Sequence, residues 1–133
     1  MIRLAAAAAA LALAAAGPAA ATEWLSCSDR DGAASIDLLL GSMEIAAISG
    51  ITVSAGEQVW ASQVEYGPGD PVTLGQAFED EGHLLVDIMD ANMSARIAEL
   101  RLFKASEGDG PSVYGGTLRI PGYGAWPVSC SGP

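Results

Sequence analysis

From Glu23 onward, apolar residues fall on every second position, and Gly, Pro or Asp–Gly breaks interrupt them about every tenth residue. This period of two is the signature of strands with one buried face. Ala34-Ser35-Ile36-Asp37-Leu38-Leu39-Leu40 shows it most plainly, and His83 to Met89 repeats it with Leu84, Val86 and Ile88 on one face. Leu100-Arg101-Leu102-Phe103-Lys104 alternates in the same way. Further strands are expected over Glu23–Ser28, Ile51–Ser54, Gln58–Gln63, Val72–Phe78, Val113–Ile120 and Ala125–Cys130. Met43–Ser49 is expected to be extended. Asp29–Gly32, Ala55–Glu57, Glu79–Gly82, Glu107–Pro111 and Pro121–Gly124 are turns by composition. Tyr66–Pro71, with two prolines and two glycines, reads as a stiff loop that no central strand could contain. Asp90–Ala98 is the one stretch with helical spacing, through Met93, Ile97 and Leu100, and is expected to be a helical turn or irregular link.

Eight or nine short strands with such turns point to an all-β fold: a small antiparallel sandwich or barrel of about eight strands. Parallel neighbours would need long crossovers that this spacing does not provide.

The first residues belong to a different class. Met1-Ile2-Arg3, a Leu/Ala run to Ala16, Gly17-Pro18 and Ala19-Ala20-Ala21 form a charged start, an apolar middle and a small-residue cleavage site. That is the pattern of an export signal, with cleavage after Ala21, and its alanine-rich character is bacterial in style. The apolar run is too short to span a bilayer. Residues 22–133 then form a single domain of a size that buries roughly two-thirds of its unfolded surface. Lipidation at Cys27 is disfavoured, because Thr22 and Glu23 separate it from the apolar run.

Export decides how the cysteines are read. Cys27 and Cys130 are the two cysteines of the chain and stand near the two ends of the domain. In an oxidising compartment they are expected to form a disulfide. Their Cα atoms must then lie within about 7 Å, so the first and last strands must be neighbours. Without a C-x-x-C spacing, redox catalysis is not expected.

The chain carries six basic and sixteen acidic residues, a formal net charge of −10. Removing Arg3 with the leader leaves Arg30, Arg96, Arg101, Lys104 and Arg119. Such a surface is repelled by nucleic acid and anionic lipid, keeps the protein soluble, and attracts basic proteins.

Catalytic signals are sparse. His83 is the sole histidine, and it reads as a polar residue opening a strand, with a base or metal ligand as the alternative. No nucleophile-elbow motif, zinc spacing or phosphate-cradling loop occurs. Paired carboxylates of a small hydrolase would have to sit about 5–9.5 Å apart in a cleft. The acidic groups Glu79-Asp80-Glu81 and Asp87, Asp90, Asn92 lack the ligand spacing of a calcium loop. No cofactor, no metal and no enzymatic activity are expected. Tyr66 and Tyr123 lie beside Gly and Pro in loops, where an aromatic ring either anchors a partner or caps the end of a β core.

Three features resemble the small exported bacterial inhibitors of c-type lysozyme. Trp24 shortly precedes an early cysteine, a second cysteine lies near the end, and Ile51-Thr52-Val53-Ser54-Ala55-Gly56 is followed by Gly69-Asp70-Pro71-Val72-Thr73-Leu74. The resemblance covers about a third of the domain. It implies an eight-stranded barrel and binding of a basic protein, with Ser54 as a contact. It departs at Pro68, which stands where the family's inhibitory lysine would be. The function expected is therefore a non-enzymatic binding or envelope-accessory module of the periplasm, with an inhibitor of the lysozyme-binding type as one alternative and a carboxylate hydrolase as another.

Overall fold

A computed structural model of the chain describes residues 22–41 and 47–132. The leader read at residues 1–21 lies outside them, as do residues 42–46 of the stretch expected to be extended. Nine strands form a closed barrel in simple chain order. They are β1 Glu23–Ser28, β2 Ala34–Leu40, β3 Ile48–Ala55, β4 Gln58–Ala61, β5 Asp70–Glu79, β6 His83–Asp90, β7 Arg96–Ala105, β8 Val113–Ile120 and β9 Gly124–Ser131. The all-β expectation holds, and of the two architectures it left open the chain adopts the barrel.

The barrel interior is solid. Ile36 and Leu38 of β2, Leu84, Val86 and Ile88 of β6, and Leu100 and Leu102 of β7 are all buried in one cluster with Leu25, Val53, Leu118 and Ile120. Each such side chain contributes about 1.5–3 kcal/mol by leaving water. Truncating one of them to alanine costs about 2–5 kcal/mol. The positions between them, Asp37, Leu85, Asp87 and Arg101, face outward.

Closure comes from β1 and β9, which pair antiparallel with Cys27 directly opposite Cys130. The two sulfurs are bonded, and the Cα atoms are 4.0 Å apart. The first and last strands are thus neighbours, as the cysteine positions require.

Of the two forms expected for Asp90–Ala98, the chain adopts the irregular link and not the helical turn. β6 ends at Asp90, the chain reverses through a turn in which Met93 takes φ 57°, and β7 begins at Arg96. The Asp90 carboxylate drives this reversal by accepting hydrogen bonds from the Ser94 amide at 2.7 Å, the Ser94 hydroxyl at 2.6 Å and the Ala95 amide at 3.1 Å. An aspartate that binds nearby amides competes against helix formation. The alternation of Ala98, Leu100 and Leu102 into the core then outweighs the helical spacing.

One pairing departs from the expected antiparallel direction. Eight of the strand pairings are antiparallel, but β4 and β5 are parallel, with Trp60 opposite Asp70 and Ala61 opposite Pro71. A single 3-10 turn, Val64–Tyr66, suffices for the return because only two residue pairs match. The expected loop therefore ends early, and Asp70-Pro71 opens β5. Proline is tolerated there at the start of a strand. Gly69 makes the approach possible: a Cβ would lie 2.6 Å from the Val59 carbonyl oxygen.

A bulge in β5 shapes the outer wall. Leu74 pairs with Ile88 and Gln76 with Asp87, so Gly75 is the extra residue. The extra residue reverses the phase of the strand. Val72 and Leu74 face the core before it and Ala77 after it, so Gln76 and Phe78 turn outward.

The disulfide closes a span of 103 residues. Chain-entropy reasoning assigns such a bond about 4–5 kcal/mol. The Cys27→Ser/Cys130→Ser variant, or the protein in reductant, is expected to melt several degrees lower at least. An unchanged calorimetric melt would show that barrel closure does not depend on the bond.

Candidate functional site

Of the residues singled out from the sequence, Ser54, Tyr66 and Tyr123 are dispersed over the barrel. Ser54 is on the outer face of β3, half-buried, with its Oγ 2.7 Å from Ser35 Oγ on β2. Tyr66 ends the 3-10 turn and folds against the wall. Its ring meets Trp24 edge-on at 5.4 Å and lies over Gly50, where a Cβ would come within 3.0 Å of it. Its carbonyl accepts a hydrogen bond from the Thr52 hydroxyl at 2.8 Å. Tyr123, in the β8–β9 turn, meets the buried Trp60 edge-on at 5.1 Å and remains 53 % exposed. The Trp24–Tyr66 pair sits toward the end of the barrel where β1 starts, and Tyr123 sits at the opposite end. Both tyrosines thus cover apolar surface in the manner of caps, and no common site joins them to Ser54. The two segments that carry the family resemblance lie on either side of β4: Ser54 pairs with Val59 of β4, and the Val59 carbonyl lies against Gly69.

The acidic residues have local tasks. Glu79 Oε1 pairs with Lys104 Nζ at 2.7 Å. Asp80 lies 3.0 Å from His83 Nδ1 and accepts the Gly82 amide at 2.9 Å. That amide, followed by His83, lowers the Asp80 pKa. Asp29 accepts the Ala34 amide at 2.9 Å, which likewise lowers its pKa. Asp90 is lowered chiefly by the Ser94 hydroxyl and then by the Ala95 and Ser94 amides. Among the described residues, no three His, Cys, Asp or Glu side chains converge as metal ligands would. His83 stacks obliquely on Phe103, with ring centroids 5.2 Å apart.

The most organised surface is the outer wall of β5 to β8, and it has two zones. The first is an ion-pair ladder. Asp87 on β6 faces Glu99 on β7, which faces Arg119 on β8. Asp87 is only 9 % exposed. It accepts from Arg101 Nη2 at 2.8 Å, while Arg96 Nη2 lies 3.6 Å from its other oxygen. Arg96 also pairs with Glu99, whose second oxygen accepts from Arg119 Nη1 at 3.1 Å. Arg101 further donates to the carbonyls of Leu100 at 3.0 Å and Val86 at 3.3 Å. Three guanidinium groups therefore bracket two carboxylates. The Arg96 and then the Arg119 hydrogen bond hold the Glu99 carboxyl below its ordinary pKa, and Glu99 in turn raises that of Arg96.

The second zone is apolar. Phe78 pairs with Leu85, and His83 with Phe103. Phe78 is 55 % exposed and Phe103 70 %. On the far side Phe103 faces Gly115, so no side chain from β8 covers it. Val113, opposite Ala105, extends the apolar line and is also exposed. A hollow of about 350 Å³ runs between the zones, lined by Gln76, Ala77, Phe78, Leu85, Asp87 and Arg101. Sequence reasoning did not single out this wall. The signal for His83, Leu85 and Phe103 was present: they alternate with Leu84, Val86, Leu100 and Leu102, and so must point outward. Phe78 gave the opposite signal, because without the bulge at Gly75 it shares the phase of Val72 and Leu74.

The four lowered carboxyls have a consequence for acid stability. A carboxyl whose folded pKa lies below its unfolded value adds stability that is complete above the unfolded value, about 4. That contribution is lost as pH falls through the folded value. In urea unfolding followed from pH 7 to pH 3, the midpoint is expected to fall below about pH 4. Asp90→Asn should be less stable at neutral pH and should decline less steeply in acid. A slope identical to that of the unsubstituted protein would remove Asp90 from this account.

The chain matches no protein-family model, no curated protein and no solved structure.

Proposed function

We propose that this chain is an exported, non-enzymatic binding module of the periplasm or external medium, and that it engages a cationic protein. The observation that carries this reading is the fate of its positive charges. Arg96, Arg101, Lys104 and Arg119 are all held in ion pairs with Asp87, Glu99 and Glu79. Four of the five cations of residues 22–133 are thus spent locally, Arg30 being the exception, while Asp29, Asp31, Glu57, Glu81, Glu107 and Asp109 stand exposed or half-exposed on the turns. Long-range attraction from such a surface favours positively charged partners and accelerates their encounter.

Three further features support the reading. The leader pattern of residues 1–21 and the Cys27–Cys130 bond fit an exported protein. The core is packed with aliphatic side chains and the outer wall carries the charges, the inverse of a barrel facing lipid. Asp87 and Glu99 are the best-placed carboxylate pair, but a glycoside hydrolase needs one such group protonated as general acid. The arginines hold Glu99 in the ionised form instead.

A second reading, inhibition of c-type lysozyme, is favoured by the adjacency of the Ser54 and Gly69 segments across β4. Both readings are tested by titrating the purified protein with a c-type lysozyme and with another basic protein, cytochrome c, at low and at moderate salt. A specific module should bind at least one of them at both salt concentrations, weakening as salt rises. Binding that disappears altogether at moderate salt would reduce the interaction to charge attraction and overturn the proposal. Slowed lysis of cell walls by lysozyme, reversed by Ser54→Ala, is expected only on the second reading.

A further inference from the structure

Large apolar side chains seldom stand together on the outside of a small barrel that has a filled core. Here Phe78, Leu85, Phe103 and Val113 come from four consecutive strands and lie along one diagonal of the wall, continued by Ala105. The core cluster forms without them. The bulge at Gly75 brings Phe78 out to join the group, and Gly115 leaves Phe103 bare on its β8 side.

The surroundings say what kind of molecule would cover this zone. The turn after β5 carries Asp80 and Glu81, and the turn after β7 carries Glu107 and Asp109, all exposed. The two turns lie at the same end of the barrel, where the Lys104 amide donates to the Gly82 carbonyl at 2.9 Å. The nearby cations are already engaged, Arg101 by Asp87 and Lys104 by Glu79. His83, at the edge of the zone, is held by Asp80. An apolar centre is thus bordered by negative charge, of which Glu81, Glu107 and Asp109 are in no ion pair among the described residues, with a hollow of about 350 Å³ beside Phe78 and Leu85 that has room for one apolar side chain.

We infer that the outer wall of β5 to β8 is the docking surface for a cationic amphipathic segment of the partner, whose apolar side chains cover Phe78, Leu85 and Phe103 while its Lys or Arg residues meet the turns at Asp80–Glu81 and Glu107–Asp109. This deepens the reading that the protein binds a basic partner, and rests on it. A second copy of the chain is the wrong occupant on charge grounds. Each copy carries a formal −10, and pairing this face with itself would bring the acidic turns of both copies together. An anionic membrane is disfavoured by the same repulsion. Apolar contact at the centre with charge at the rim is the arrangement that gives both affinity and a fast encounter.

The test uses two synthetic probes: an amphipathic Lys/Leu peptide of fourteen residues with its leucines on one face, and an oligolysine of equal charge. The unsubstituted protein is expected to bind the amphipathic peptide at least tenfold more tightly than oligolysine at moderate salt. Phe78→Ser/Phe103→Ser, both changes on exposed positions, should abolish that difference and leave the melting temperature and the weak oligolysine binding intact. Asp80→Asn/Glu81→Gln should weaken both peptides and flatten the salt dependence. Tyr66→Ser, on another part of the wall, serves as the control. If the protein prefers the amphipathic peptide and the double phenylalanine variant does so equally, the docking surface lies elsewhere and only this inference falls. If neither peptide nor either basic protein binds, the functional reading falls with it. Self-association that is abolished by the phenylalanine changes would assign the surface to a second copy and overturn the inference as stated.

Discussion

The pairing of β1 with β9 is the constraint on which the rest of this molecule depends. It joins the first strand of the domain to the last, and so turns an open meander into a barrel. Without it both strands would offer unpaired edges to other chains, and Leu25, Ile36 and Leu118 would lose their enclosure. The pairing spans only Ser26–Ser131, Cys27–Cys130 and Ser28–Ser129. Hydrogen bonds between strands so short and so distant in sequence must overcome a large loop-closure entropy. The covalent bond between Cys27 and Cys130 lowers the entropy of the unfolded chain instead. Stability is thereby linked to an oxidising compartment.

Closure elsewhere is achieved with less. β4 and β5 touch through two residue pairs, and the direction of the sheet changes there. Gly69 allows the backbones to meet, Trp60 fills the interior, and Tyr123 covers Trp60 from the barrel end. Tyr66 and Trp24 seal the outside where the 3-10 turn crosses the wall. The aromatic residues described above are thus mostly used in finishing the barrel, whereas Phe78 and Phe103, the latter stacked on His83, stand on its outer wall.

Strand by strand, most of the architecture was legible in the sequence, because a period of two in Ile36, Leu38, Leu84, Val86, Ile88, Leu100 and Leu102 has one physical meaning. The cysteine positions correctly implied that the chain ends are joined. Three features were hidden, each for a local reason. Asp90 uses its side chain to build a turn that mimics the start of a helix in its spacing. The parallel β4–β5 contact needs no helical crossover because it is only two pairs long. The bulge at Gly75 changes which face Phe78 occupies, and a single extra residue leaves no mark in composition. For the candidate surface the consequence was direct. His83 and the loop tyrosines were conspicuous as residue types, yet they serve locally, while the organised wall is made of common residues whose grouping exists only after folding.

The central claim is that the domain is a barrel closed by the first and last strands in register at the cysteines. Solution NMR of the oxidised protein tests it most directly. The account expects cross-strand contacts between Cys27 and Cys130, between Ser26 and Ser131, and between Ser28 and Ser129, with slow amide exchange along β1 and β9. A free thiol at either cysteine, or rapid exchange along β1 and β9 without those contacts, would contradict it.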